Sequence, residues 1–171
     1  DKDRIVDVVT SSLAETGLLP GRLELEITES LLIERPDDVL ATLMRLKELG
    51  VSIAMDDFGT GYSSLSYLLK FPFDKIKIDK SFISAIDHDK AACDVLRTIG
   101  SLGKTLGIRI TAEGVETEEQ VTFLRAIACD QLQGYFFAKP LDSSGVATFL
   151  LGNAAQRLKT AETNTPSSKA A

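Results

Sequence analysis

The chain has 171 residues, of which 44% are hydrophobic, and it carries a formal net charge of -6. This length is enough for one sizeable core but too short to assume two domains, so we expect a single domain. Because no stretch concentrates Lys and Arg, the sequence lacks the basic surface of a DNA- or RNA-binding protein, whereas a small charged ligand stays compatible with it.

The two cysteines, Cys93 and Cys129, lie in helix-like surroundings without a metal-binding spacing. Such thiols are typical of small buried hydrophobic residues in a reducing compartment, and a disulfide is the weaker alternative. The sequence has no signal peptide and no apolar run long enough to span a bilayer. We therefore expect a soluble, cytoplasmic chain, although a parent protein could be tethered to a membrane.

Helix-like and strand-like segments alternate along the chain, which predicts a mainly parallel sheet. Gly17, Gly50 and Gly107 each close a helix-like segment just before β-prone residues, a pattern typical of helix ends. Thr117 and Gln120 predict a capping box. In chain order the predicted elements are a helix near Asp3–Glu15, strand Leu23–Ile27, helix Asp37–Leu49, strand Ser52–Asp56, helix Ser63–Leu69, strand Lys75–Ile78, helix Lys90–Leu106, strand Ile108–Glu113, helix Thr117–Ala126, strand Gln131–Tyr135 and helix Ser144–Leu151. Residues 153–171 are polar and predict a disordered tail.

One face of every predicted strand is polar, which is unusual because a parallel sheet is normally covered on both faces. The strands place an apolar set on the other face, for example Ile53 and Met55 or Ile76 and Ile78. If the sheet closes into a barrel, the polar side chains converge and can satisfy one another, a metal or a ligand. The polar set is Glu24, Glu26, Ser52, Ala54, Asp56, Lys75, Lys77, Asp79, Arg109, Thr111, Glu113, Gln131 and Gln133.

Charged and amide residues lie at the carboxyl ends of these strands, where barrel enzymes place their chemistry. The alternative is an open sheet with one solvated face, or acids that serve only as helix caps. For a single residue, this alternative explains the position about as well as a functional role does. For the same placement on five strands, it is a much weaker explanation. The residues concerned are Glu26, Asp56, Asp57, Lys77, Glu113 and Gln133.

Carboxylates without clustered His or Cys favour Mg²⁺ or Mn²⁺ over Zn²⁺. The adjacent Asp56 and Asp57 could contribute to two ions about 3.5 to 4 Å apart, the spacing that supports attack of water on a phosphodiester. Lys77 could then stabilise the attacking water or the phosphate charge, and Gln133 could orient a ligand. These roles are hypotheses that the residues suggest.

Five motifs occur along the chain: Glu26-Ile27-Thr28-Glu29, Asp56-Asp57-Phe58-Gly59-Thr60-Gly61-Tyr62-Ser63-Ser64-Leu65, Lys77-Ile78-Asp79, Ala112-Glu113-Gly114-Val115-Glu116 and Gln133-Gly134-Tyr135. In order and spacing they resemble the EAL-domain cyclic-di-GMP phosphodiesterases, from near the first residue to about Leu151. The resemblance implies a modified (β/α)₈ barrel that cleaves cyclic-di-GMP to linear pGpG with Mg²⁺ or Mn²⁺.

The same resemblance implies roles for individual residues. It implies metal ligation by Glu26, Asp56, Asp57 and Glu113. It implies catalytic roles for Lys77, Glu113 and Gln133. It also implies that Glu29, Ser63 and Glu116 support the loop from Asp56 to Leu65, which resembles the loop that links dimerisation to metal binding in the family.

The Glu-Ala-Leu sequence itself does not occur in the chain, and the predicted strands fall short of the eight in a complete barrel. We therefore expect residues 1–152 to form an incomplete α/β barrel that is inactive or weakly active as given. Its open edges favour a homo-oligomer, and an upstream regulatory domain is compatible with the sequence.

Two other functions stay open. One is a non-catalytic module that binds cyclic-di-GMP or another protein. The other makes Lys77 a Schiff-base lysine of an aldolase-like barrel, in which the pair Asp56 and Asp57 has no role.

Overall fold

The computed structural model describes residues 2–34, 36–59 and 65–152. Five parallel strands form one sheet in the order β1-β2-β3-β4-β5, so each strand pairs with the next one along the chain. The strands are β1 (Glu24–Thr28), β2 (Ser52–Phe58), β3 (Lys75–Ile78), β4 (Arg109–Ala112) and β5 (Gln131–Leu132). The helices that accompany the sheet are α1 (Lys2–Thr16), α2 (Glu29–Glu34), α3 (Pro36–Glu48), α4 (Leu65–Lys70), α5 (Lys80–Ser84), α6 (Lys90–Leu106) and α7 (Glu118–Ala126), and Pro20–Arg22 form a 3₁₀ turn.

This strand order is that of a sheet wound in one direction, as in the wall of a barrel. A doubly wound sheet would instead reverse its order at a switch point, where the chain returns to the first strand. Parallel neighbours require crossover connections, and each crossover here carries at least one helix. The predicted parallel α/β sheet is therefore confirmed.

The core lies between the apolar face of the sheet and the helices. Ile53 on β2 and Ile76 on β3 are fully buried, as is Leu96 on α6. Gly103 lets α6 approach β4 closely, since a Cβ at this position would lie 2.6 Å from Ile110 Cδ1. The core thus fixes the apolar side of each strand and leaves the opposite, polar side for the site.

Two aspartates hold the amino-terminal edge of the sheet in the same way. Asp74 precedes β3 and accepts a hydrogen bond from Ile53 N on Oδ2 at 2.8 Å, while its own N–H donates to Ile53 O at 2.9 Å. Asp130 precedes β5 and repeats both bonds with Ile110, at 2.7 and 3.0 Å. Lys47 also donates to both carboxylate oxygens of Asp74. Each such pair of hydrogen bonds, called a strap below, fixes the register at the point where a strand begins.

All five predicted strands are present, although the last one ends at Leu132 rather than Tyr135. The capping box of Thr117 and Gln120 at the start of α7 is confirmed. The short helices α2 and α5 were not predicted, because neither is long enough to show a helical period. The predicted tail, residues 153–171, lies outside the described residues.

The chain divides into two compact units, of which the first covers residues 1–137 and contains the sheet. In the second unit, residues 143–152 are helical. This helix begins after Asp142, whose Oδ1 accepts hydrogen bonds from Ser144 Oγ and Gly145 N. In the described part of the chain, no helix is both long and apolar enough to cross a membrane.

Candidate active site

Strand β2 carries a bulge at the two predicted aspartates. Its register with β3 runs from Met55 opposite Ile76 directly to Phe58 opposite Ile78, so two residues of β2 face one of β3. Asp57 has a positive φ of 54°, in the left-handed region that few side chains adopt. A bulge of this kind changes where a side chain points and is frequent next to active sites. Asp56 is half-buried on the polar face, while Asp57 is exposed.

Lys77 on β3 joins three of the predicted acids into one cluster. Its Nζ lies 2.7 Å from Glu26 Oε2, 3.0 Å from Asp56 Oδ1 and 2.8 Å from Glu113 Oε1. These acids come from β1, from β2 and from the residue that follows β4, so the cluster crosses the carboxyl ends of four strands. The convergence predicted from the polar faces of the strands is therefore present.

Burial alone would lower the pKa of Lys77, but its contacts with Glu113, Glu26 and Asp56 outweigh this effect and raise the pKa above its usual range. Lys77 is thus an ammonium ion at any physiological pH. Asp56 Oδ1 is buried and has no hydrogen bond of regular geometry to the described residues, so its 3.0 Å contact with Lys77 is an ion pair. Three carboxylates against one ammonium leave a formal charge of -2.

Glu113 and Gln133 are held together by the backbones of their neighbours. Val115 N donates to Gln133 O at 3.0 Å, and Gln133 N donates to Ala112 O at 2.9 Å. Between these bonds, Gly134 lies against Val115 so tightly that no side chain fits. The result is a cleft of about 280 Å³ lined by Asp79, Lys80, Glu113, Gly114, Glu116, Gln133, Gly134 and Tyr135.

The residues expected to support the loop after β2 are only partly described. Glu29 is buried and begins α2, directly after β1. Glu116 is exposed, lines the cleft, and donates its backbone N–H to Gln120 Oε1 at 2.8 Å. Ser63 lies outside the described residues, so its predicted role stays a prediction.

The donor set fits a hard divalent cation. It consists of carboxylate oxygens, and its formal charge of -2 would be balanced by one divalent ion. It also contains the buried Asp56 Oδ1, which has no hydrogen bond of regular geometry. The described residues do not form a closed metal site of three or more ligands, because Lys77 stands between the acids. Residues able to hold a metal are Glu26, Asp56, Asp57 and Glu113.

Three features of the site were not predicted. The bulge at Asp56 is a shift in the register between β2 and β3, and the sequence of β2 alone does not show it. Asp79 belonged to a recognised motif, but its side chain also caps α5 by accepting from Ser81 N at 2.9 Å. Beneath the cluster, Lys75 pairs with Glu24 at 2.7 Å. The alternation of polar residues places both side chains on the polar face, but it does not show that they form a pair.

The EAL domain family model matches residues 1–140. Among curated relatives, cyclic di-GMP phosphodiesterase NbdA of Pseudomonas aeruginosa is 43% identical over 85% of this chain and 19% of its own length. The chain therefore spans about a fifth of that relative.

Solved structures match the fold as well. The phosphodiesterase of P. aeruginosa MucR in complex with c-di-GMP is 42% identical, with a TM-score of 0.79 over 82% of this chain and 57% of that one. Klebsiella pneumoniae BlrP1, in a manganese and cyclic-di-GMP complex, is 35% identical, with a TM-score of 0.75 over 79% of this chain and 34% of that one. The five strands are thus part of the modified TIM-type barrel of these domains, and divalent metals occur in such structures. The chain belongs to the EAL domain family.

Proposed function

We propose that this chain supplies the catalytic edge of a metal-dependent phosphodiesterase that hydrolyses cyclic-di-GMP to linear pGpG. The observation that carries the proposal is the cluster of Lys77 with Glu26, Asp56 and Glu113 at the carboxyl ends of parallel strands. The relatives support it, since one is named as such a phosphodiesterase and solved neighbours hold cyclic-di-GMP.

In this reaction water adds to one phosphorus, the bond from phosphorus to the 3′ oxygen breaks, and that oxygen leaves with a proton. As an ammonium group beside three carboxylates, Lys77 can stabilise negative charge on the phosphoryl oxygens or the attacking water. When bound, Mg²⁺ or Mn²⁺ would supply a Lewis acid that lowers the pKa of water. Glu26, Asp56, Asp57 and Glu113 would hold it.

Gln133 completes the site without adding charge. Its backbone is fixed to Val115 and Ala112, and it lines the same cleft as Glu113. An amide can donate to and accept from a ligand, so it suits the orientation of a nucleotide that already carries negative charge. We assign Gln133 to ligand orientation rather than proton transfer.

The proposal extends to location and assembly. A second-messenger phosphodiesterase acts in the cytoplasm, and two cysteines without a disulfide fit that compartment. Association with a second copy and regulation by an upstream domain are part of the proposal. The much greater length of NbdA supports the latter.

The experiment is hydrolysis of cyclic-di-GMP in two contexts, with Mg²⁺ or Mn²⁺ and with chromatographic separation of substrate and pGpG. One context is the 171-residue chain, where we expect binding with weak or no turnover. The other is a chimera in which residues 1–140 replace the matching segment of the MucR phosphodiesterase. There we expect metal-dependent pGpG formation.

In the chimera, Asp56→Asn should lower kcat at least a hundredfold, because a neutral amide is a poor ligand for a hard cation. The matched control is Asp38→Asn, on α3 outside the site. A folded chimera that binds cyclic-di-GMP but forms no pGpG with either metal would support the non-catalytic alternative instead.

A further inference from the structure

A second ion pair lies one layer beneath Lys77. Lys75 Nζ is 2.7 Å from Glu24 Oε1, and the two side chains are only 10% and 27% exposed. Glu24 and Glu26 are two residues apart on β1, as Lys75 and Lys77 are on β3. The two pairs therefore repeat on the same face of the sheet, about 7 Å apart along the strands.

Both pairs reach across β2, which lies between β1 and β3 in the sheet. The residue of β2 between them is Ala54, which is paired with Glu26 on one side and Lys75 on the other. Ala54 is 0% exposed although it lies on the polar face. Its small side chain leaves the space in which the long side chains of the two layers meet.

The upper layer occupies the ammonium group of Lys77. The carboxylates of Glu26, Asp56 and Glu113 each place an oxygen within 3.0 Å of Lys77 Nζ. Lys77 is therefore engaged with the upper layer and not with Glu24. Glu24 depends instead on Lys75, since Arg109 Nη2 is 3.9 Å away on a side chain that is 47% exposed and screened by water.

We propose that Lys75 is a positioning residue for the reaction, which by occupying Glu24 keeps Lys77 on the three carboxylates of the upper layer. Without Lys75, Glu24 would be an unpaired carboxylate one layer below the Lys77 ammonium and would attract it. Lys77 would then leave Asp56 or Glu113 and point away from the cleft. This inference rests on the proposed function for its catalytic consequence, but the charge arrangement can be tested separately.

The catalytic test uses the MucR chimera described above. Lys75→Met should lower kcat 10- to 100-fold, as losses of supporting partners around metal sites do, with KM within about threefold, the pattern of a lost transition-state contact. The double variant Glu24→Gln/Lys75→Met removes both charges, so kcat should return to within about threefold of the unaltered chimera. Arg109→Met, which removes the distant cation, is the control and should leave kcat unchanged.

The second test needs no turnover. Side-chain ammonium signals of lysine are recorded by ¹H–¹⁵N NMR in the 171-residue chain, with Lys77→Met to assign the Lys77 signal. Lys75→Met should shift that signal or lose it to faster exchange with water, and the double variant should restore it. A Lys77 signal that is the same in the unaltered chain, in Lys75→Met and in the double variant would overturn the inference.

Two kinetic results would also overturn it: Lys75→Met with kcat within twofold of the unaltered chimera, or a double variant as slow as Lys75→Met alone. If Lys75→Met does not fold, the double variant decides alone, because it buries no unpaired charge and its kcat must then be near that of the unaltered chimera. An unaltered chimera without activity would refute the proposed function instead, while the NMR comparison would still test the role of Lys75.

Discussion

Gly134 is in contact with the backbone of Val115: a Cβ on residue 134 would lie 2.2 Å from both the N and the O atom of Val115. Neither atom can move cheaply, because Val115 N donates to Gln133 O and Val115 O accepts from Phe136 N. Gly134→Ala should therefore lower the free energy of unfolding by about 2 kcal/mol. It should also displace Gln133 and weaken binding of cyclic-di-GMP. Urea unfolding and calorimetry measure the two effects, and Gly21→Ala, whose nearest neighbour is 3.9 Å away, is the control.

The backbone of Asp57 is held in a conformation that favours glycine. Asp57→Gly and Asp57→Ala both remove the carboxylate, so the difference between them isolates the cost of a Cβ at φ 54°. We expect the glycine variant to be more stable than the alanine variant by about 1 kcal/mol. Chemical denaturation of both variants tests this. Equal stabilities would mean that the bulge relaxes when the carboxylate is lost.

Lys77 carries the positive charge among three acids, so its loss should make the fold depend on added cations. Lys77→Met should lower the free energy of unfolding by about 3 kcal/mol, because it leaves partly buried carboxylates unpaired. Mn²⁺ should raise the Tm of this variant more than that of the unaltered chain. Lys70→Met is the control, since its pair with Asp37 is exposed and should contribute less than about 1 kcal/mol. A Tm shift by Mn²⁺ no greater than that of the unaltered chain would contradict this prediction.

Cys129 should make the fold sensitive to alkaline pH. Burial raises the pKa of its thiol from 9.0 to about 11. Below pH 9 the thiol is neutral in both folded and unfolded chains, but between about 9 and 11 only the unfolded chain loses the proton, so stability falls as pH rises. The free energy of unfolding should thus fall more between pH 8 and pH 10.5 in the unaltered chain than in Cys129→Ala. Parallel pH dependences would show that the thiol ionises equally in both states.

The strap formed by Asp130 should depend on an oxygen acceptor and little on charge. Asp130→Ala leaves Ile110 N without its partner and should cost about 2 kcal/mol, whereas Asp130→Asn retains an oxygen and should cost less. Urea unfolding of both variants measures the difference. The same series at Asp74 should show a larger loss in the Asn variant, since Lys47 also binds that carboxylate.

Most of the fold could be predicted because the strands largely alternate between apolar and polar residues. The pattern of Ile53 and Met55 against Ser52 and Asp56 identifies both the strand and its buried face. This alternation does not identify short helices. Helix α5, for example, has only five residues, and Asp79 caps its amino terminus. Strand β5 was predicted too long, because after Leu132 the backbone bonds to Val115, which lies outside the strands: Val115 N donates to Gln133 O, and Phe136 N donates to Val115 O.

The convergence of Glu26, Asp56, Lys77 and Glu113 could also be predicted, but their individual contacts could not. Glu26, Asp56 and Glu113 were expected as metal ligands and Lys77 as a catalytic residue, yet the sequence does not show that Lys77 binds all three acids. That contact depends on side chains reaching across β2, and hence on the small Ala54. A residue without chemistry of its own therefore decides whether the charged residues meet.

The strand order has a consequence for how the chain acquires its structure. Among the described strands, each one after β1 pairs with the strand made just before it, so its partner is already present when it is synthesised. Each new strand adds to a sheet edge that is already present, and each crossover helix can cover the apolar face as it forms. Pairing between successive segments keeps the loops to be closed shorter than pairing between distant segments would. The sheet is thus suited to growing strand by strand behind the ribosome, at the pace of translation.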